Sequence, residues 1–177
     1  SQPKYYVWPT KWKNISSGIA VRSFYRLGLS KNNPGYIIAG SHDNGTAYRD
    51  NNGNWYSIFG GDGMEGLIHP DDPKNIIGSW QYGNFVKSYD GGITRNYIGF
   101  YQYDQWDKGE WTTPMVRDPN NSNTLYAALG NVWESTDGGF AWYQISNFST
   151  VNGFGYPDPS SALAIASSNP THLYVAK

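Results

Sequence analysis

Cysteine is absent from the 177 residues, which excludes a disulfide framework and any thiolate metal centre without fixing the compartment. A surplus of either charge is also missing. Thirteen Lys and Arg face fourteen Asp and Glu, a net charge of −1, and a non-specific nucleic-acid binder would show a basic excess instead. Charged residues of both signs reach only 15%, against the roughly 25% usual for soluble domains. No apolar run approaches the ~18 residues that a membrane-spanning helix needs, so the chain is not expected to span a bilayer. The opening Ser1-Gln2-Pro3 has no initiator methionine, basic stretch or apolar stretch, as in a processed chain or an internal fragment. Aromatic residues, by contrast, make up 17% and are spread throughout, which argues against disorder.

The chain repeats itself. Ile76-Ile77-Gly78-Ser79 leads to Gly83-Asn84-Phe85-Val86-Lys87-Ser88-Tyr89-Asp90-Gly91-Gly92, and Leu125-Tyr126-Ala127-Ala128 leads to Gly130-Asn131-Val132-Trp133-Glu134-Ser135-Thr136-Asp137-Gly138-Gly139. Ile37-Ile38-Ala39-Gly40, followed by Asn44 to Gly53, is a looser copy, and Leu173-Tyr174-Val175 falls in a fourth unit. A Pro/Asn/Asp turn precedes each apolar run, and the period of about 40–50 residues is that of propeller blades. Short runs of Ile, Val, Tyr, Trp and Thr bounded by Gly, Asn, Asp or Pro predict strands throughout. In the second unit these are A (Met64–His69), B (Asn75–Trp80), C (Phe85–Ser88) and D (Ile93–Ile98). The fold class is therefore all-β, a propeller of four-stranded antiparallel blades. The units are expected at 20–60, 61–107, 108–148 and 149–177, the last incomplete. Residues 1–19 form closing strands (Lys4–Trp8 and Lys11–Ile15), with Trp12 near an inter-blade position.

Ser88-Tyr89-Asp90-Gly91-Gly92 and Ser135-Thr136-Asp137-Gly138-Gly139, the second followed by Phe140-Ala141-Trp142, resemble the Asp-box (bacterial neuraminidase repeat) of consensus Ser-x-Asp-x-Gly-x-Thr-Trp. The physics suits a C–D turn: Asp90 and Asp137 accept backbone N–H groups of their own turn. Gly92 and Gly139 supply positive φ, and Trp142 packs between blades. Three further segments resemble one family in combination: Gly40-Ser41-His42-Asp43-Asn44-Gly45-Thr46, Gly60-Gly61-Asp62-Gly63-Met64-Glu65, and Trp111-Thr112-Thr113-Pro114 with Asp118-Pro119. They are similar to the propeller region of large secreted Bacteroidetes surface proteins that carry type IX secretion sorting domains. More distantly they resemble sortilin and xyloglucanase-type propellers. His42 stands where that family is expected to have Gln. The resemblance implies an extracellular or bacterial cell-surface location, and a partial propeller whose partner is the remainder of its own propeller or another chain.

In such a blade the B–C and D–A connections share one end of the propeller. That end collects Asp43, Asp62, Asp104, Asp107 and Glu110 with Trp80, Gln81, Tyr82, Tyr101, Tyr103, Trp106 and Tyr156. Carboxylates among exposed aromatics suit carbohydrate, because rings stack on apolar sugar faces while acids bind hydroxyls. The leading expectation is a non-enzymatic module recognising a glycan or a secreted or surface protein. In that reading Trp80, Gln81, Tyr82, Tyr101, Tyr103, Trp106 and Glu110 contact the ligand. The alternative is a polysaccharide hydrolase with Asp43 and Asp62 as the acid/base pair, since such chemistry needs two carboxyls about 5–10 Å apart. Against it, Asp-Asn-Gly and Gly-Asp-Gly are also ordinary turn sequences. A sialidase would need several arginines converging on one carboxylate, and the five here are scattered. No cofactor is expected. His42, His69 and His172 lack zinc-ligand spacing. Calcium at Asp43 and Asp62 is compatible with oxygen ligands, but the EF-hand spacing is absent.

Overall fold

The computed structural model describes residues 17, 21–99, 107–148 and 157–177. Residues 1–16 of the expected closing strands lie outside them. Three four-stranded antiparallel sheets follow one another, each a meander paired in chain order. The first is β1 (Phe24–Leu29), β2 (Ile37–Ser41), β3 (Gly45–Arg49) and β4 (Trp55–Phe59); the second is β5 (Gly66–Ile68), β6 (Ile76–Ser79), β7 (Phe85–Ser88) and β8 (Asn96–Tyr97). The third comprises β9 (Met115–Arg117), β10 (Leu125–Ala128), β11 (Val132–Ser135) and β12 (Tyr143–Gln144), and a two-stranded sheet, β13 (Ala162–Ile165) and β14 (Leu173–Ala176), follows. This is the β-propeller architecture read from the repeats. Among the described residues no helix is long and apolar enough to cross a membrane.

The core lies between sheets, because alternation along a strand sends successive side chains to opposite faces. Ile38 and Tyr48 of the first sheet meet Ile68, Ile76 and Val86 of the second, and Ile77 and Phe85 of the second meet Met115, Leu125 and Ala127 of the third. Register makes positions comparable: Ile37 pairs with Arg49, Ile76 with Ser88 and Leu125 with Ser135. In each sheet one face therefore leads, toward the preceding sheet, and the other trails. The inner strands approach so closely that side chains are excluded. A Cβ on Gly28 would lie 2.1 Å from the Gly66 carbonyl oxygen.

The two Ser-x-Asp-Gly-Gly segments form matching hairpin corners between the third and fourth strands of their sheets. Ser88 Oγ donates to Asp90 Oδ1 (2.7 Å) and accepts the Gly92 N–H (2.8 Å). Ser135 repeats both bonds with Asp137 and Gly139, each at 2.8 Å. The Thr94 N–H, with the Ser88 and Thr94 hydroxyls, holds the Asp90 carboxyl down at about 2. At Asp137 burial opposes ionisation, but the N–H groups of Ala141 and Phe140 and the Ser135 hydroxyl outweigh it and the pKa is lowered. Gly139 has φ 106°, and a Cβ there would lie 2.7 Å from Ile98 Cδ1 of the second sheet, so the corner seats on its neighbour. Trp142, three residues on, stacks on Phe85 at 6.4 Å and donates its indole N–H to the Ile98 carbonyl (2.7 Å). The looser first unit makes a shorter turn. Arg49 replaces the serine, and Asp50 caps the N–H groups of Asn52 and Asn54 at 2.9 Å.

Glu65, just before β5, meets three consecutive sheets. Its Oε2 lies 3.8 Å from Arg26 Nε of β1, and it accepts N–H groups from Gly66 and from Met115 of β9. Burial raises its carboxyl to about 6, outweighing those N–H groups and the distant guanidinium. A carboxyl whose folded pKa exceeds its usual 4.5 favours folding most below that value. The benefit, about 2 kcal/mol at 1.36 kcal/mol per pH unit, is lost as pH rises from 4.5 to 6. Urea titrations from pH 4 to 7 should show this slope in the wild type, and a curve flatter by about 2 kcal/mol in Glu65→Gln.

Candidate functional site

Three connections converge at the end of the propeller opposite the corners: the 42–44 turn between β2 and β3, the 60–65 link from β4 to β5, and the turn after β6. Backbone bonds lock the first two together. Gly45 N–H donates to the Gly61 carbonyl (2.6 Å) and Gly63 N–H to the Ser41 carbonyl (3.1 Å). Asp43 adopts φ 56°, a conformation that Asp and Asn tolerate in turns, and so aims its N–H at Asp62 Oδ1, 2.6 Å away. Asp62 Oδ2 accepts from Gln81 Nε2 at 2.7 Å. His42 Nδ1 lies 3.3 Å from Asp43 Oδ2.

One ligating atom from each of His42, Asp43 and Asp62 falls within 4.8 Å of the other two. The two carboxyls are thus close, below the ≈ 6.5–9.5 Å that admits a water for inversion and nearer the ≈ 5–5.5 Å of a retaining pair. Both Asp62 oxygens already hold N–H donors, and the Asp43 side chain is 75% exposed. A metal ion held by this set would have an imidazole nitrogen beside two carboxylates. That mixture suits a borderline cation such as zinc better than calcium, which takes six to eight oxygens.

A second feature lies beside it. Gln81–Gly83 form a 3₁₀ turn in which Tyr82 has φ 61°, and the Tyr82 ring stands 51% exposed. Trp111, in the link between the second and third sheets, meets that ring edge-on at 5.5 Å and 87°. Glu110 is exposed, its Oε2 accepting the Trp111 N–H at 3.0 Å. The aromatic pair therefore comes from two adjacent sheets, with carboxylate and amide groups on the flanking residues.

The other expected ligand residues fall differently. Trp80 packs against the core between the first and second sheets. It donates its indole N–H to the Gly60 carbonyl, and its ring lies near Phe59, Tyr97 and Arg95. It is an inter-sheet wedge. Asp107, expected on the open face, is buried, its carboxylate accepting the Asn131 N–H (3.1 Å) and the Trp133 indole N–H (2.7 Å). Burial raises its pKa against these bonds. Tyr101, Tyr103, Asp104, Trp106 and Tyr156 lie outside the described residues. Trp111 was not among the expected contacts, although its position in a D–A connection beside Glu110 is the signal that could have found it.

No protein-family model matches the chain, and no curated protein matches it in sequence. Solved structures do. The chain is similar to an ancestral GH74 enzyme, with TM-score 0.64, 18% identity and coverage of 86% of this chain and 21% of that one. It is similar to the GH74 enzyme of Niastella koreensis, with TM-score 0.59, 16% identity and coverage of 84% and 21%. YCF48 from Cyanidioschyzon merolae matches with TM-score 0.51, 11% identity and coverage of 81% and 47%. At these identities the likeness establishes the fold alone, and the chain spans about a fifth of the length of the two GH74 structures.

Proposed function

We propose that this chain is a glycan-recognition segment of a β-propeller, one that binds its ligand without turning it over. The observation that carries the reading is the exposed Tyr82–Trp111 pair, with Glu110 next in chain to the indole and Gln81 next to the phenol. A sugar presents an apolar ring face and equatorial hydroxyls, which such an arrangement matches. The same reading takes the Ser-x-Asp-Gly-Gly corners as Asp-boxes, and the chain as part of a secreted or surface-anchored bacterial protein. Tryptophan fluorescence titrated with xyloglucan or cello-oligosaccharides tests it. Saturable quenching is expected, weakened about tenfold or more, some 1.4 kcal/mol, in Tyr82→Ala and in Trp111→Ala with folding unchanged. Equal binding by all three proteins would overturn it.

A second reading, hydrolysis by Asp43 and Asp62, draws support from their proximity and from the GH74 neighbours. It requires new reducing ends from a β-glucan, lost in Asp62→Asn. The bonds from Asp43 N–H and Gln81 to Asp62 favour the binding reading, because they give that carboxylate a turn-capping task.

A further inference from the structure

Register-equivalent positions expose an asymmetry on the first sheet. Leu27 and Leu29 of β1 pair with Ala39 and Ile37, as Gly66 and Ile68 of β5 pair with Gly78 and Ile76 and as Met115 and Arg117 of β9 pair with Ala127 and Leu125. All lead toward the preceding sheet. Ile68 is 5% exposed and Met115 3%, whereas Leu27 and Leu29 are 60% and 63% exposed. Trp55, opposite Arg49 at the start of β4, holds the place of Trp142. It is 51% exposed where Trp142 is 8%. A cleft of about 350 Å³ opens beside Trp55, lined also by Val21, Phe24 and Ala47.

The opposite end of the array carries the matching half. In the β13–β14 hairpin Leu163, Ile165, Leu173 and Val175 are half-buried, whereas Ala162, Ala164, Tyr174 and Ala176 face outward and are exposed. This trailing face is small and apolar around one ring, and the leading face of the first sheet is bulky. Within the molecule the same two kinds of face meet at each sheet junction, Ile38 closing on Gly66 and Ile68.

We propose that a second copy of this chain covers the leading face of the first sheet, docking the Ala162/Ala164/Tyr174/Ala176 face of its β13–β14 hairpin against Leu27, Leu29 and Trp55. Two copies joined in this way satisfy both open faces of each, so association closes at two. The chain itself supplies both complementary surfaces, and the contact continues an interface that the molecule already repeats.

Sedimentation equilibrium of the 177-residue chain from 1 to 100 μM tests this. Twice the 19.8 kDa chain mass is expected at the upper end. Leu29→Asp and Tyr174→Asp should each sediment as monomers with unchanged circular dichroism. Mixed together they should regain a dimer, because one interface, between the leading face of Tyr174→Asp and the trailing face of Leu29→Asp, remains intact. Wild-type protein that stays monomeric throughout overturns the proposal even if a variant fails to fold. So does a mixture of folded variants that stays monomeric, and so does a native polypeptide longer than 19.8 kDa that is itself monomeric, which would mean the face is covered by its own chain.

Discussion

Trp142→Ala is expected to destabilise the protein by about 3–5 kcal/mol, the range for truncating a buried large aromatic. The indole is 8% exposed and wedged between two sheets. It stacks on Phe85, and its N–H reaches both the Ile98 and Gly139 carbonyls, at 2.7 and 2.9 Å. Removing it opens a cavity in the core between the second and third sheets and leaves the Ile98 carbonyl without that donor. The same change at Arg95, which holds the equivalent place in the second sheet and lies 5.6 Å from the Trp80 ring centre, should cost under about 1 kcal/mol, as for an exposed cation–π contact. Urea unfolding of the two variants separates these outcomes. Comparable losses would mean that the third-strand-to-fourth-strand corners do not seat as the repeat requires.

Gly40→Ala carries the second large effect, about 3 kcal/mol or more, at the upper end of overpacking costs. A Cβ on Gly40 would lie 2.0 Å from the Met64 carbonyl oxygen and 2.6 Å from the Gly63 carbonyl carbon. Those atoms are backbone, so no side-chain rotation relieves the clash and the 60–65 link must move. Asp62 is on that link, next to Gly63. The variant should therefore also loosen the Asp43 N–H to Asp62 bond, which is visible as loss of protection of the Asp43 amide in hydrogen exchange. A stable Gly40→Ala with an unchanged Asp43 amide would show that the first and second sheets do not approach as closely as described.

How far the sequence foretells this molecule depends on how local each interaction is. Phe85–Ser88 is a strand with the bounds expected, and Asn75–Trp80 contains β6, because alternating apolar residues between glycine and asparagine turns carry their own signal. Strand D of the same unit was expected over Ile93–Ile98 but is only Asn96–Tyr97. The Asp90 carboxylate captures the Thr94 N–H, so the corner extends into what propensity alone assigns to the strand. The convergence of Asp43 and Asp62 follows from blade topology, and it was legible. The packing of Trp80 was not. An indole in a connection reads as an exposed platform until the Gly60 carbonyl and the Phe59 ring, some twenty residues earlier in the chain, are placed beside it. Asp107 misleads for the same reason, since the groups that bury its carboxylate, Asn131 and Trp133, come from the next hairpin.

The glycan-binding account meets its most direct test in a single sample. The isotope-labelled chain is titrated with a xyloglucan oligosaccharide while amide and ring resonances and reducing ends are followed together. The account predicts perturbations centred on Tyr82, Trp111 and Glu110, saturating with no new reducing ends. Reducing ends that accumulate and vanish in Asp62→Asn, or perturbations that leave Tyr82 and Trp111 untouched, would contradict it.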